Sequence, residues 1–322
     1  MENQKKRRLL YQGAAKRDAV AEDTTPTLGY FFKLLWRKLG KLLSLNLLVV
    51  LRFLPLVACA IIFLTGPRTQ VPQSPLYAPL LGAYNAAGST AAGTLFSVFG
   101  YTLGYPVLTT GRLVAIIILI ALTVLTWGWQ TVGATYNYRS FVRGDSCFIL
   151  SDYIYAIKKN LLQGFIFGIL DCVVLFFLGF DIWYFYALSA NNSYGFLYVL
   201  ILILAVIYLA MRFYIYPMMI TFDLKTRKLL KNGLIFSLLG FKRNLVAVIG
   251  IILLVFLNLY GILWGLSVGL SLLLILPFFY LATLLGFIGT YAAYPNIQRY
   301  MIDPYLNGEN NESAAPDEED SE

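Results

Sequence analysis

The chain has no histidine, and its glutamates lie only near its two ends. Without histidine, a His-ligated metal site and a histidine general base are excluded. Between residues 28 and 305 the acidic residues are Asp145, Asp152, Asp171, Asp181, Asp223 and Asp303. Their separation along the sequence argues against the paired carboxylates that many hydrolases use. We therefore expect the protein to be no enzyme and to hold no metal or other cofactor.

Cysteine and charged residues are scarce as well. The three cysteines form no CxxC motif, and charged residues make up 13% of the chain against 59% for apolar residues. This composition, with a mean hydropathy of +0.69, is typical of integral membrane proteins. Apolar runs long enough to cross a hydrocarbon core of about 30 Å lie near 42–64, 113–135, 161–183, 194–216, 245–263 and 268–294. The sequence therefore predicts an all-α, polytopic membrane protein with six transmembrane helices in a lipid bilayer.

The two ends of the chain differ from the rest in composition. Residues 1–27 are basic and residues 307–322 are acidic, and neither segment has an apolar period. We expect both to be disordered, which leaves a membrane domain at 28–306. The basic end fits the charge bias of segments beside a membrane, so no nucleic-acid role is expected. Residues 95–105 are apolar but only half a span long, and the sequence leaves open whether they re-enter the bilayer or lie on its outer surface.

Charged connectors separate the second span from the third and the fourth span from the fifth. In the first connector, Asp152 falls in the first turn of a predicted helix and Lys158 and Lys159 in its last turn, which suits the helix dipole. Apolar residues recur there at spacings of three and four, and so share one helix face: Tyr153, Ile154, Ile157 and Leu161. The second connector, 223–244, is rich in Lys and Arg. We predict an amphipathic helix along the membrane surface in each connector.

Lys and Arg are distributed unevenly between the two sides of the predicted spans. Ten lie in residues 1–41, four in the first connector, six in the second and one at Arg299, whereas Arg68 and Arg112 fall on the opposite side. Cytoplasmic segments of membrane proteins carry the excess of basic residues. We therefore expect both termini and both connectors in the cytoplasm, and the protein in the cell membrane.

Short matches within the chain suggest an internal repeat. The motif KKNL at 158–161 matches KRNL at 242–245, and Tyr216-Pro217 matches Tyr294-Pro295. One hypothesis is a unit of a surface helix and a two-span hairpin, used three times. Chance agreement between short strings in apolar sequences is the alternative.

Few polar residues fall inside the predicted spans. Arg52 and Asp171 lie near the middle of spans one and three, where an unpaired charge is costly, so we predict that they form an ion pair. That pair would either belong to a solute path or tie two helices together. Arg212, expected near the cytoplasmic end of span four, and Asn258 in span five are candidates for a polar lining. Gly164 and Gly168, at a spacing of four, predict a close helix contact.

Three stretches carry a resemblance to a known family: ATYNYRSFVRGDSCFILSDYIYAIKKNLLQGF at 134–165, LNLLVVLRFLPL at 45–56, and residues 211–245. They resemble the YesL family of bacterial membrane proteins, which carry a domain of unknown function. The resemblance implies an accessory or transport-related component linked to carbohydrate uptake, with components of ABC-type carbohydrate transporters as partners. The first alternative is a membrane scaffold that recruits a partner through its basic connectors, and a further alternative is an enzyme that acts on lipid.

Overall fold

The computed structural model describes residues 26–66, 68–69, 105–188 and 194–304. Within these residues the chain forms nine α-helices: α1 (Leu28–Val50), α2 (Leu54–Leu64), α3 (Thr110–Arg143), α4 (Ile149–Lys159), α5 (Leu161–Leu188), α6 (Gly195–Thr221), α7 (Thr226–Leu239), α8 (Phe241–Ser267) and α9 (Leu281–Ile297). The predicted disordered ends, apart from residues 26 and 27, and nearly all of the half-span at 95–105 lie outside the described residues. A short antiparallel pairing joins β1 (Arg68–Thr69) to β2 (Tyr105–Pro106).

Six segments of the described chain are long and apolar enough to cross a membrane: Leu28–Leu64, Thr110–Arg143, Leu161–Leu188, Gly195–Thr221, Phe241–Gly265 and Leu272–Ile302. Most side chains in these segments face outward and are apolar, as lipid contact requires. The predicted all-α, polytopic membrane fold is thereby confirmed. Among the described residues, those up to 40 and those from 41 onward form two separate compact units.

Helix α3 is the central helix of the second unit. It contacts α2, α4, α5, α6 and α9, and most of its buried residues lie in its C-terminal half. The helix ends because Gly144 adopts the left-handed conformation, with φ 78°. That conformation lets Asp145 N–H donate to Ser140 O at 3.0 Å, so the last turn of the helix is closed.

Helices α3 and α5 approach each other at three glycines. A methyl group added at Gly128 would meet the carbonyl oxygen of Gly164, and one added at Gly168 would meet the backbone of Gly128. Any side chain at Gly128 or Gly168 would therefore force the two backbones apart. The predicted contact at Gly164 and Gly168 is confirmed, and its partner on α3 is Gly128.

The first connector forms the helix predicted for it. Helix α4 has Asp152 in its first turn and Lys158 and Lys159 in its last. It begins at Ile149, and Asp152 Oδ2 accepts the N–H of the preceding residue, Phe148, at 2.9 Å. A buried amide, Asn137, ties α3 to this helix by donating to the carbonyl oxygen of Ile149 at 3.3 Å.

The residues of α4 divide between two surroundings. Tyr153 and Ala156 are buried, and the Tyr153 ring lies where a side chain at Gly133 of α3 would stand. Burial raises the pKa of the Tyr153 phenol, and the positive charge of Arg52 opposes that rise. The opposite face exposes a second set of apolar side chains: Phe148, Leu150, Ile154 and Tyr155. An exposed apolar face of this kind suits a helix that lies in the membrane interface.

Two spans are broken by proline. The first is interrupted by a 3-10 turn at Leu51–Phe53, which precedes Pro55 in the first turn of α2. The last contains the 3-10 turns Ser271–Leu274 and Leu276–Phe279 before α9 begins. Breaks leave backbone groups without helical partners. Buried Asn46 supplies partners at the second break, donating to Phe278 O at 2.6 Å and accepting from Thr283 N–H at 3.0 Å.

The element order gives partial support to the repeat hypothesis. Helices α4 to α6 and α7 to α9 each consist of a short helix and two long ones, and the last long helix of each set contains a proline, Pro217 or Pro295. The matched asparagines lie at the start of the first long helix of each set, Asn160 directly before α5 and Asn244 in the first turn of α8. Asn160 donates to Ala156 O at 3.0 Å and Asn244 to Ser237 O at 2.8 Å, so both bond back to the preceding short helix. The first span has no separate short helix, since α1 runs unbroken from Leu28 to Val50.

Candidate functional site

Asp171 of α5 is completely buried and is the centre of a polar cluster. Its Oδ1 accepts from the Tyr208 hydroxyl at 2.8 Å, and Arg212 Nε lies 2.8 Å from the same oxygen. Its Oδ2 accepts from Arg212 Nη2, Trp127 Nε1 and the Tyr216 hydroxyl, each at 3.0 Å. A carboxylate has about four lone-pair sites. The donors around Asp171 therefore use its full capacity.

The geometry of α6 explains why these donors converge. Tyr208, Arg212 and Tyr216 are spaced by four residues, so they lie on one face of the helix. Asp171 lies 17 residues before Leu188 at the end of α5, and Arg212 lies 17 residues after Gly195 at the start of α6. Because the two helices are successive spans that run in opposite directions, these positions share a depth.

The predicted ion pair between Arg52 and Asp171 is corrected by this arrangement. Asp171 pairs with Arg212 at 2.8 and 3.0 Å, and Arg52 instead lies over the Trp127 ring, with its guanidinium carbon 5.1 Å from the ring centroid. Arg52 and Asp171 thus contact the same side chain without contacting each other. Arg212 does not snorkel to the end of its span, since α6 continues to Thr221, beyond the predicted end at 216.

Arg52 is buried in the 3-10 turn that breaks the first span. Its Nη1 donates to Thr131 Oγ1 at 3.3 Å, and Thr131 in turn donates to Trp127 O at 2.9 Å. Among the described residues, Arg52 Nε has no hydrogen-bond partner and no carboxylate lies within ion-pair distance of the guanidinium. In the described part of the chain, this buried cation is therefore contacted by two aromatic rings, Trp127 and Phe53, and by one hydroxyl, but by no carboxylate.

A cavity of about 380 Å³ opens beside Arg52, and we call it the Arg52 cavity. Its walls come from the first span and from α3, α6, α8 and α9. The side chains with polar or charged groups that line it are Arg52, Trp127, Thr131, Thr135, Tyr138, Arg212, Tyr216 and Thr290, and the rest of the lining is largely apolar. A cavity of this size and character matches a site for a small molecule.

The two residues predicted to form a polar lining, Arg212 and Asn258, lie in different parts of the structure. Arg212 lies in the wall of the Arg52 cavity. Asn258 lies elsewhere: it accepts from the Tyr280 hydroxyl at 2.5 Å and donates to Leu254 O at 2.8 Å. Its amide links α8 to the residue just before α9, which is a packing role.

The cluster offers binding groups and no set of metal ligands. Within the part of the chain that the structure describes, no group of three His, Cys, Asp or Glu side chains could hold a metal ion. Trp127, Tyr208 and Tyr216 were not singled out from the sequence as site residues. The spacing of four between Tyr208, Arg212 and Tyr216 is the signal that could have identified them.

Comparisons of this chain with protein-family models, with curated proteins and with solved structures find no match.

Proposed function

We propose that this membrane protein is a transport-related component that binds a small polar solute in the Arg52 cavity. The observation that carries the proposal is a cavity of about 380 Å³ beside a buried arginine, Arg52, that has no carboxylate partner among the described residues. A purely structural arginine in lipid surroundings is normally paired. Asp171 forms an ion pair with Arg212, whereas no carboxylate in the described part of the chain lies within ion-pair distance of Arg52.

The class of solute follows from the resemblance to the YesL family, which points to carbohydrate uptake. We propose components of an ABC-type carbohydrate transporter as partners, because the 322 residues contain no P-loop motif with which to use ATP. The positive-inside distribution supports a cell-membrane location with both termini in the cytoplasm. In this orientation α4 and α7 lie on the cytoplasmic side of the membrane, where an ABC-type transporter hydrolyses ATP.

A membrane scaffold is the second candidate function, and the exposure of the connector helices favours it. The basic side chains of α4 and α7 that face outward are Lys158, Lys159, Arg227, Lys228 and Lys231. They would recruit an acidic partner without using the Arg52 cavity. Anionic lipid headgroups account for the same charge.

Deletion of the gene tests the proposal. Uptake of labelled carbohydrates should slow for one complex carbohydrate and stay normal for glucose. Wild-type protein and the exposed-site control Arg299→Gln should restore uptake, and Arg52→Gln should not. Normal uptake of every carbohydrate by the deletion strain, together with capture of a cytoplasmic protein by α4 and α7, would overturn the transport role in favour of the scaffold.

A further inference from the structure

The charges around the Arg52 cavity do not cancel. Arg52 and Arg212 both line it, and the one carboxylate in their vicinity among the described residues is Asp171. Asp171 is bound by two nitrogens of Arg212, and its remaining capacity is taken by Trp127, Tyr208 and Tyr216. This leaves the cavity with the net positive charge of Arg52.

The donors of Arg52 are also largely unused. A guanidinium has five N–H donors in a planar fork. One of them reaches Thr131, the Nε atom has no partner in the described chain, and the guanidinium carbon lies over the Trp127 ring at 5.1 Å from its centroid. The contact with the ring restricts the arginine side chain, which reduces the side-chain entropy lost when a ligand binds.

We infer that the Arg52 cavity is an anion site, and that its ligand carries a single carboxylate or similar oxyanion bound by the Arg52 guanidinium. The inference rests on the proposed function and narrows its solute class from carbohydrates in general to acidic ones. Two parallel hydrogen bonds between a guanidinium and a carboxylate are strong and directional, particularly where water is excluded. An incoming anion would thus neutralise the buried charge that the protein leaves unpaired.

The other groups of the lining suit the uncharged part of such a ligand. Thr135, Tyr138 and Thr290 present hydroxyl-bearing side chains from α3 and α9, while Val248, Ile251 and Leu285 are apolar. The Thr135 and Thr290 hydroxyls donate to Thr131 O at 2.7 Å and to Gly286 O at 3.0 Å, so toward a ligand their oxygens can act as acceptors. A ring with several hydroxyls and one carboxylate, as in a sugar acid, matches this mixture in both chemistry and size.

The phosphate of a lipid headgroup offers the same oxyanion chemistry, so the experiment separates the two sources. Purified full-length protein is placed in nanodiscs of zwitterionic phosphatidylcholine and titrated with glucuronate, glucose, acetate and inorganic phosphate. We expect glucuronate to bind at least about tenfold more tightly than glucose, which corresponds to about 1.4 kcal/mol. The test is repeated in nanodiscs that contain anionic phosphatidylglycerol. If the natural ligand of the cavity is a soluble anion, the affinity for glucuronate should be unchanged. If the natural ligand is the lipid phosphate, the lipid should occupy the site and the affinity for glucuronate should fall.

Variants of Arg52 identify the group responsible. Arg52→Gln should lose the preference for glucuronate, Arg52→Lys should keep part of it, and Arg299→Gln should keep all of it. Without an anion, Arg52→Gln should melt no lower than wild type, because it removes an unpaired buried charge; a purely structural arginine would give a lower melting temperature. Added glucuronate should raise the melting temperature of the wild type alone.

Three results would overturn the anion site: equal affinity for glucose and glucuronate, unchanged glucuronate binding by Arg52→Gln, or no binding of any tested anion or of phosphatidylglycerol. If glucose binds as well as glucuronate, the anion site fails while the proposed carbohydrate role stands. If glucuronate binding depends on Arg52 and the deletion strain transports every carbohydrate normally, the anion site stands and the proposed uptake role fails.

Discussion

Arg212 holds Asp171 with two guanidinium nitrogens, Nε at 2.8 Å from Oδ1 and Nη2 at 3.0 Å from Oδ2. The carboxylate is completely buried and the arginine side chain is 21% exposed. Removal of one partner leaves the other buried charge unpaired, which costs about 3–5 kcal/mol. Removal of both leaves no charge to strand. The pair is therefore a strong candidate for energetic coupling between α5 and α6.

We expect Asp171→Asn and Arg212→Gln each to be strongly destabilising, and the double variant to be less destabilised than the sum, with a coupling of about 2 kcal/mol. The free energy of unfolding in mixed micelles of dodecyl maltoside and SDS provides the measurement. A second cycle, with Arg52→Gln and Asp171→Asn, serves as the control. Its coupling should be smaller, because Arg52 reaches Asp171 only through the Trp127 ring. A larger coupling at Arg52 than at Arg212 would contradict the observed pairing.

The close approach of α3 and α5 predicts opposite effects for alanine at different glycines. Gly168→Ala should destabilise the protein by about 1–3 kcal/mol, since the added methyl group meets the backbone of Gly128 and overpacks the contact. Gly179→Ala, on the same helix, should be neutral or stabilising by up to about 1 kcal/mol, because nothing lies near its added methyl group and alanine favours the helix. Thermal unfolding in detergent distinguishes the two. Similar melting temperatures for the two variants would rule out the contact.

The two hydrogen bonds of the Asn46 side chain should contribute strongly to the free energy of unfolding. Asn46→Leu leaves Phe278 O and Thr283 N–H without their partner, and each buried unsatisfied group costs about 1–3 kcal/mol. Leu47→Ala, at an exposed neighbouring position, is the matched control and should change little. Hydrogen exchange at Thr283 adds a local readout: its amide should exchange faster in Asn46→Leu. Unchanged exchange would show that another group takes the place of Asn46.

Reporter fusions test the orientation. Fusions after residue 145 and after residue 224, in the two basic connectors, should report the cytoplasm, as should a fusion after residue 306. A fusion near residue 190 should report the outer side. The uneven distribution of Lys and Arg is the reason for these assignments. An outer-side signal from either connector would refute the orientation.

The helices and the number of spans were predictable from the sequence, but the pairing of individual side chains was not. The number of spans follows from apolar runs, and α4 follows from its amphipathic spacing and the placement of Asp152 and Lys158. Both patterns extend over many residues, so one residue that departs from the pattern does not change the prediction.

The pairing of Asp171 depended on a single boundary. The span predicted at 194–216 places Arg212 about one turn from the membrane surface. The helix instead continues through Pro217 to Thr221, since a proline removes only one backbone donor and the remaining bonds hold the helix. Arg212 therefore lies deeper in the span than expected, and it is Arg212 that contacts Asp171 in place of Arg52.

The glycine contacts show the same division. Gly164 and Gly168 were recognised from their spacing, but the sequence does not say which helix faces them, and Gly128 carries no local mark. Three further glycines have the same spacing: Gly261, Gly265 and Gly269. Gly261 and Gly265 both lie on α8, but Gly261 has open space around it, and Gly269 adopts φ 78° after α8 ends. A spacing of four therefore does not by itself determine which glycines meet a neighbouring helix.

The succession of Asp171 and Arg212 on neighbouring helices also affects how the chain enters the membrane. Helix α5 leaves the ribosome before α6, so Asp171 arrives before its counter-charge. A single aspartate at the centre of a helix costs about 2.5–3.5 kcal/mol during translocon-mediated insertion. Retention of α5 beside the translocon until α6 emerges would let both enter as a neutral hairpin. Arg52 has no such companion on the next span, and it is carried by the most apolar of the six segments. The order of synthesis thus leaves one charge to be neutralised after the protein is complete.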